Sequence, residues 1–160
     1  MSPSDKVAPV LRKMEYGVYV VTLGKGNKGN AFTASWVTQI SSEPPMVAMA
    51  IHNKHQSSRL LSESDAFVIH LIPEGQDSVA KTYYGPAESG YEKLKATSVT
   101  DSPATGTPII PGSLGFLDCK IVKRIPAGNH TLFLGEVKAA SLSEDKPILT
   151  TSNCRLHYTG

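Results

Sequence analysis

Hydrophobic and polar residues alternate along much of this 160-residue chain, with the two-residue period that is typical of β-strands. Six segments combine alternation or a short apolar run with β-branched residues, and they are predicted to be strands. These segments cover residues 17–23, 30–40, 46–52, 66–72, 114–125 and 131–142. Because strands dominate and no regular strand–helix alternation occurs, the pattern predicts a mainly β fold with short helices, in a closed or nearly closed antiparallel barrel.

Three short helices are predicted, one before the first strand and two between the strands. The first carries Val7, Val10, Leu11 and Met14 at helical spacing, the second ends at about Ser62, and the third covers residues 76–84. The candidate N-caps are Ser4 or Asp5 for the first helix and Ser57 or Ser58 for the second. Residues 85–112 are rich in Gly, Pro, Ser and Thr and are predicted to form long loops.

The composition is that of a single globular domain. Hydrophobic residues make up 40% of the sequence and charged residues 19%, which is enough apolar surface for a sizeable core. One domain is predicted over residues 1–160. The net charge of +2, carried by scattered basic residues, argues against nucleic acid as a partner.

The chain has two cysteines, Cys119 and Cys154, and no cysteine–histidine cluster with the spacing of a metal site. The opening residues are polar, without the apolar segment of a signal peptide, and no apolar stretch approaches the ~20 residues that span a bilayer. We therefore expect a cytoplasmic protein with no membrane segment, structural disulfide or metal site. Cys119 lies in a strand pattern and is expected to be a core residue.

Residues 24–29, Gly-Lys-Gly-Asn-Lys-Gly, match the G-x-G-x-x-G pattern of dinucleotide-binding proteins. That pattern needs a helix directly after it, because the helix N-terminus holds the pyrophosphate. Here the next twelve residues alternate as a strand. The segment is therefore predicted to be a hairpin loop in which glycine supplies positive φ.

The strand predicted at residues 30–40 has two chemically different faces. One face carries Phe32, Ala34, Trp36, Thr38 and Ile40, and the other carries Thr33, Ser35, Val37 and Gln39. The short hydroxyls of Thr33 and Ser35, beside main-chain N–H groups, suit a phosphate, which needs several donors and little bulk around it.

Residues 52–58, His-Asn-Lys-His-Gln-Ser-Ser, form a second candidate for anion binding. They place a lysine and two serines just before a predicted helix, where free N–H groups and the helix dipole favour an anion. Lys54 would add a positive charge with three donors. The alternative is an ordinary helix cap beside a solvated lysine.

The sequence lacks the short patterns of several enzyme classes. It has no G-x-S-x-G of serine hydrolases, no H-E-x-x-H of zinc proteases and no P-loop of nucleotide hydrolases. His52 and His55 are three residues apart on a strand-to-loop segment, which does not favour a metal site. His70 lies within a strand pattern and is expected to be a hydrogen-bonded sheet histidine rather than a ligand.

A resemblance to a known family rests on segments that occur in the family's order. Thr33-Ala34-Ser35-Trp36, followed by Pro44-Pro45, is similar to the T-A-S-W signature of the flavin reductase-like, FMN-binding split-barrel proteins. Residues 17–22, 67–71, 84–85 and 128–131 extend the resemblance over roughly residues 14–158. It implies a split β-barrel, antiparallel and Greek-key-like, and a homodimer with FMN near its interface.

The resemblance also implies roles for individual residues. It places FMN against Thr33, Ala34, Ser35, Trp36, Asn53, Lys54 and Ser57, with Tyr84 of the Tyr84-Gly85 pair helping to cover the flavin. His130 resembles a family histidine near the flavin and the nicotinamide, and it is the candidate catalytic residue. Asn129 stands where the family has aspartate, which removes a charge that would raise the pKa of His130 and argues against an acid role. The alternatives are core packing for Trp36 and a polar turn for His130.

These implications favour an FMN-dependent NAD(P)H oxidoreductase, a flavin reductase in which hydride passes from nicotinamide C4 to flavin N5. One alternative is a flavoredoxin-like electron carrier whose FMN serves a protein partner. A further alternative, from another class, is a β-barrel ligand-binding protein without redox function.

Overall fold

The computed structural model describes residues 3–155 and contains one large antiparallel sheet with short helices. The helices are α1 (Pro3–Leu11), α2 (Gln56–Ser62), α3 (Asp77–Thr82) and α4 (Ala87–Lys95). The strands are β1 (Tyr19–Leu23), β2 (Asn30–Ala34), β3 (Val37–Ser42), β4 (Pro45–His52), β5 (Ala66–Leu71), β6 (Thr100–Asp101), β7 (Pro108–Ile109), β8 (Gly115–Ala127) and β9 (His130–Leu142). The mainly β prediction is confirmed.

Seven strands form the large sheet in the order β2-β1-β5-β8-β9-β4-β3, and β6 pairs with β7 separately. One buried cluster takes side chains from six strands of the large sheet, and half-buried Val37 of β3, the seventh strand, packs against it. Met49, Phe67 and Phe133 are fully buried members of this cluster. A single core against one face of all seven strands requires the sheet to curl around it. The sheet is therefore barrel-like, with β2 and β3 as its two unpaired edges.

A second cluster covers the opposite face of β1 and β2. Val20 and Ala31 pack there against Ala80 of α3, Leu94 of α4 and Leu149 near the end of the chain. This cluster holds α3 and α4 on the outside of the barrel, next to the strand that carries the predicted phosphate-binding hydroxyls.

The prediction of one continuous strand over residues 30–40 is wrong. The chain forms β2 up to Ala34, turns at Ser35 and Trp36, and resumes as β3 from Val37. The two pieces lie at opposite edges of the sheet. The N–H of Val37 donates to the carbonyl of Ser35 at 3.0 Å, a tight turn that needs neither glycine nor proline. Continuous alternation in the sequence concealed this corner.

The long-loop prediction for residues 85–112 is also wrong, because α4, β6 and β7 lie there. Gly90 explains how α4 packs so closely on β2. A Cβ at this position would lie 2.1 Å from the carbonyl oxygen of Ala31 and 2.4 Å from Oδ1 of Asn30. Gly90, a residue type that disfavours helices, is therefore what lets this helix approach the strand.

The remaining local predictions have mixed outcomes. Residues 24–29 form the predicted hairpin loop between β1 and β2, and Gly24 has φ 75° with Lys28 blocking any Cβ. The cap predicted for α2 is wrong, because His55 occupies the N-cap, while Ser57 and Ser58 are buried within the helix. Cys119 lies in the core as predicted.

His70 is the buried sheet histidine that the sequence predicts. Its Nδ1 donates to the carbonyl of Val20 at 3.0 Å, and its Nε2 accepts the N–H of Ile110 at 3.1 Å. Burial lowers the pKa of His70 to about 4, against a smaller opposing effect of the bond to Val20. The neutral imidazole thus ties β5 to β1 and to the segment after β7.

The prediction of one domain over residues 1–160 includes residues 1–2 and 156–160, which lie outside the described range. Within residues 3–155, no helix combines the length and the apolar character needed to cross a membrane.

Candidate functional site

A cavity of about 380 Å³ opens where the corner between β2 and β3 meets the start of α2 and the segment after α3. This volume is within the usual range for small-molecule sites. Its wall is formed by Phe32, Thr33, Ala34, Ser35, Trp36, Ala50, Ile51, Lys54, His55, Gln56, Ser57, Tyr83, Tyr84, Gly85 and Pro86. Seven of the predicted cofactor-binding residues are therefore brought together: Thr33, Ala34, Ser35, Trp36, Lys54, Ser57 and Tyr84.

Backbone hydrogen bonds fix the corner on both sides. The N–H of Thr33 donates to the carbonyl of Tyr83 at 3.2 Å, which ties the end of β2 to the segment after α3. The N–H of Ala50 donates to the carbonyl of Trp36 at 2.9 Å, which ties the start of β3 to β4. The cavity wall therefore rests on the two edges of the barrel rather than on a mobile loop.

The hydroxyls in the wall have different surroundings. Thr33 Oγ1 donates to the carbonyl of Ala80 at 2.6 Å, so its proton is already engaged. Ser35 and Ser57 are buried, and neither hydroxyl has a hydrogen bond to another described residue. Ser35 and Ser57 can therefore donate to a ligand, whereas Thr33 holds α3 against β2.

We predict that Ser35→Ala and Thr33→Ala have separable effects. Ser35→Ala should weaken FMN binding by roughly 1 kcal/mol, the net value of one hydrogen bond, and leave thermal unfolding of the apo-protein nearly unchanged. Thr33→Ala should lower the apo-protein's melting temperature, because it removes the bond that ties α3 to β2 and leaves the Ala80 carbonyl with only the N–H of Tyr83, at 3.3 Å. Flavin titration and calorimetry of both variants test this assignment, and a Thr33→Ala variant with unchanged melting contradicts it.

Lys54 follows β4 in a loop that internal hydrogen bonds hold in place. Its N–H donates to Nδ1 of His52 at 3.1 Å, and its exposed side chain lines the cavity. Helix α2 has only seven residues, too few for a strong dipole. Lys54, rather than the helix, would therefore supply the positive charge for an anion.

Asn53 is not in the cavity wall, in contrast to the other predicted flavin-binding residues. Its N–H donates to the carbonyl of Asn129 at 2.9 Å, and its Oδ1 accepts the hydroxyl of Thr131 at 2.7 Å. These bonds fasten the Lys54 loop to the turn between β8 and β9. Asn53 thus positions its neighbour and the turn that precedes His130.

His130 begins β9 directly opposite His52 at the end of β4. Its imidazole stacks on Trp36, with ring centroids 4.7 Å apart and an angle of 27°. Nδ1 donates to Oδ1 of Asn129 at 2.7 Å, while the buried Nε2 has no hydrogen-bond partner. An unpaired buried nitrogen costs free energy. His130 itself lies behind Trp36, not in the wall.

The electrostatics favour a neutral His130. Its pKa is lowered by burial first and then by the neighbouring His52 and His55. Asn129 is uncharged and accepts from Nδ1, which leaves a lone pair on Nε2. His130 can therefore accept a hydrogen bond at Nε2, but it does not hold a spare proton near neutral pH.

Trp36 and Tyr84 are the aromatic surfaces of the site. Trp36 lies outside the core cluster and contacts two other aromatic rings. It stacks on His130, and its ring centroid lies 6.2 Å from that of Tyr16. Tyr84 is 47% exposed at the cavity rim, and Gly85 follows it with φ 146°. An exposed aromatic at the rim is free to lie over a planar ligand.

Sequence reasoning missed several residues of the wall, among them Tyr83, Pro86 and His55. Tyr83 directly follows α3, a helix that the sequence predicted. Pro86 directly precedes α4, a helix that it did not predict. His55 enters the wall because the β4–α2 loop turns towards the corner. The register that pairs β4 with β9 could not be read from local patterns.

Among the described residues, no group of three His, Cys, Asp or Glu side chains is arranged for a metal ion.

Comparison with known proteins gives a consistent result. The flavin reductase like domain model matches residues 11–160. The NADH:FMN oxidoreductase of Rhodococcus qingshengii is 33% identical over 135 residues, which is 84% of this chain and 69% of that protein. The NADH-dependent FAD reductase of Streptomyces globisporus is 28% identical over 144 residues, which is 88% of this chain and 79% of that protein.

The fold comparison agrees. The solved structure of the NADH:FAD oxidoreductase of Streptomyces globisporus C-1027 superposes with a TM-score of 0.84 at 26% identity, covering 99% of this chain and 95% of that chain. Another structure of that oxidoreductase contains NAD and FAD fragments and has a TM-score of 0.83. The split-barrel prediction is confirmed.

Proposed function

Because the chain belongs to the flavin reductase-like domain family, we propose that it is an NAD(P)H:flavin oxidoreductase acting on FMN. The observation that carries this proposal is the cavity at the β2–β3 corner, where the predicted flavin-binding residues converge. A bound flavin would supply the hydride-transfer chemistry with a nicotinamide, and the task of the protein's own residues would be to bind and orient the two rings.

The residues present fit a flavin mononucleotide. The unpaired hydroxyls of Ser35 and Ser57 and the ammonium of Lys54 supply donors for a phosphate at one part of the wall. Trp36 and Tyr84 supply aromatic surface for a planar ring. His130 lies outside the wall and stacks on Trp36, so it would orient that ring rather than contact the flavin.

The protein's part in the reaction is binding and orientation. Lys54, Ser35 and Ser57 would hold the phosphate, so the ring system is carried at a fixed distance from the corner. Tyr84 would exclude water from one side of the ring. Because hydride transfer needs the two rings at near-attack distance, this positioning supplies much of the acceleration. It requires no acid–base pair, in agreement with the neutral state of His130.

Stopped-flow absorbance tests the proposed activity directly. Protein loaded with FMN and mixed anaerobically with NADH or NADPH should lose flavin absorbance near 450 nm within seconds. Failure of both nucleotides, with FMN still bound, would identify a flavin-binding electron carrier. A purified protein that binds no FMN would contradict the proposal altogether.

His130→Ala should slow flavin reduction by NAD(P)H far more than it weakens FMN binding. The expected loss of rate is roughly tenfold, because the variant removes the ring on which Trp36 stacks and so loosens the orientation of the cavity wall. Single-turnover reduction and FMN titration of the same variant separate the two effects.

The pH profile of His130 provides an independent readout. Since its pKa is lowered and Asn129 carries no charge, the wild-type reduction rate should change only slightly between pH 6.5 and 8. A steep fall of the rate through neutral pH would show that His130 transfers a proton. An unchanged rate in His130→Ala would reduce it to a turn residue.

The protein is also inferred to be a homodimer. Support comes from the cavity, which is open at Lys54 and Tyr84, and from α1, whose Val7, Val10 and Leu11 are 50%, 69% and 54% exposed. Light scattering at micromolar concentration should give twice 17.1 kDa. A monomer that still reduces FMN would refute a site shared between subunits.

A cytoplasmic location and a protein acceptor for the electrons stay predictions from the sequence.

A further inference from the structure

Three histidines form a continuous row beside the cavity. The ring centroids of His52 and His55 are 5.3 Å apart, and those of His52 and His130 are 5.0 Å apart. Only His55 belongs to the cavity wall, where it stands next to Lys54 in the chain. The row therefore reaches from the buried His130 to the place where a ligand's anionic group would lie.

Two members of the row are already engaged or enclosed. Nδ1 of His52 accepts the N–H of Lys54 at 3.1 Å, a bond that shapes the loop. His130 is buried, and a second proton would place a charge where its Nε2 has no partner. The ring that can meet a ligand in the cavity is therefore that of His55.

His55 differs from both neighbours. It is exposed, and its ring nitrogens have no hydrogen bond to any described residue. Partial burial, and then the adjacent His52, lower the pKa of His55, so it is neutral in the free protein at pH 7. A proton can reach this ring from solvent without breaking any existing contact.

The charged and titratable groups around His55 favour an incoming anion. These groups are Lys54 on the same loop, His52 and His130 on the adjacent strands, and Tyr83 across the cavity, and none of them is a carboxylate. Among the side chains that the structure describes, no carboxylate lines the cavity. A phosphate entering there would be the first negative charge that His55 meets.

We propose that His55 is a specificity residue for phosphorylated flavins: it takes up a proton from solvent when the phosphate enters, and pairs with it together with Lys54. This inference rests on the proposed function, since it concerns the same cavity. An opposite charge within about 4–6 Å raises a histidine pKa by about one unit or more. Binding of FMN is therefore coupled to proton uptake, whereas binding of riboflavin, which lacks the phosphate, is not.

Isothermal titration calorimetry in two buffers of different ionisation enthalpy, PIPES and imidazole at pH 7.0, counts the protons taken up. Wild-type protein should take up roughly half a proton or more for each FMN bound. His55→Asn should take up close to none, and both proteins should take up none with riboflavin. The phosphate of FMN, with a second pKa near 6, releases about a tenth of a proton at this pH in both proteins, so their difference isolates His55.

A second variant, His55→Lys, carries a permanent charge at this position. It should bind FMN at pH 8 at least as tightly as the wild type does, with no proton uptake. Equal proton uptake by the wild type and His55→Asn, or uptake on riboflavin binding, would overturn the role of His55. If the fluorescence of FMN stays unquenched with the wild type and with every variant, no flavin is bound. That result would reject the proposed function instead.

Discussion

Acidification should remove about 3 kcal/mol of stability from this protein through His70 alone. The folded state lowers the pKa of His70 to about 4 from its ordinary value of 6.5. The stabilising contribution is therefore complete above pH 6.5 and is lost as the pH falls towards 4. The physical reason is that Nε2 accepts the N–H of Ile110, so a second proton would break this bond and bury a charge.

Urea unfolding at pH 7.5 and pH 5.0 measures this effect, and about 2 kcal/mol of the loss should occur between these values. His70→Gln is the matched variant, since it keeps a donor and an acceptor without titrating in this range. Other histidines, including His52, His55 and His130, are present in both proteins, so the difference between their pH dependences reports His70. Identical pH dependence in the two proteins would show that His70 does not titrate on unfolding.

Lys54→Ala should weaken FMN binding by about 1.5–3 kcal/mol, or roughly 10- to 150-fold, while leaving the fold intact. The reason is charge opposite a phosphate, since the Lys54 side chain is exposed at the cavity and makes no ion pair in residues 3–155. Its backbone N–H, which shapes the loop, is retained in the variant. Titration of apo-protein with FMN measures the loss.

Two controls make the Lys54 result specific. Riboflavin has the same ring without the phosphate, and its affinity should change little. Lys81→Ala removes an exposed lysine of α3 that lies outside the cavity wall, and it should bind FMN as the wild type does. Equal weakening for FMN and riboflavin would move Lys54 away from the phosphate.

Much of the fold could be predicted because the strands carry their own signals. The hairpin at residues 24–29 is one case, since a strand follows its glycines where a nucleotide-binding pattern needs a helix. The ends of β4, β8 and β9 lie within one or two residues of the prediction. In these segments, alternation and burial agree, so local sequence and tertiary packing favour the same structure.

The sequence did not reveal the corner at Ser35 and Trp36. Alternation predicted that Trp36 shares a face with Phe32 and Ala34, yet these two residues lie in the core while Trp36 turns away to stack on His130. Family resemblance grouped residues that, apart from Asn53 and His130, the structure places around one cavity, but their geometry depends on a turn between two sheet edges. Such a turn is determined by tertiary contacts, including the bond from Ala50 to Trp36, which no local pattern encodes.

Helix α4 was missed for a related reason. Its glycine and its position after Pro86 lower helix propensity, and packing on β2 overrides that preference. His52 and His55 were assessed only as metal ligands. Their place beside His130 follows from the pairing of β4 with β9, a long-range contact between residues 52 and 130.

The open barrel leaves two strand edges that could recruit strands from other molecules and so begin aggregation. On one side, α4 lies against β2, and Gly90 allows it to come close enough to shield that edge. On the other side, β3 is interrupted by an irregularity between Gln39 and Ser41 and leads into a proline pair. A side chain at Gly90 would therefore do more than crowd a helix: it would uncover a template for intermolecular β-pairing, and the protein's solubility would fall before its flavin chemistry failed.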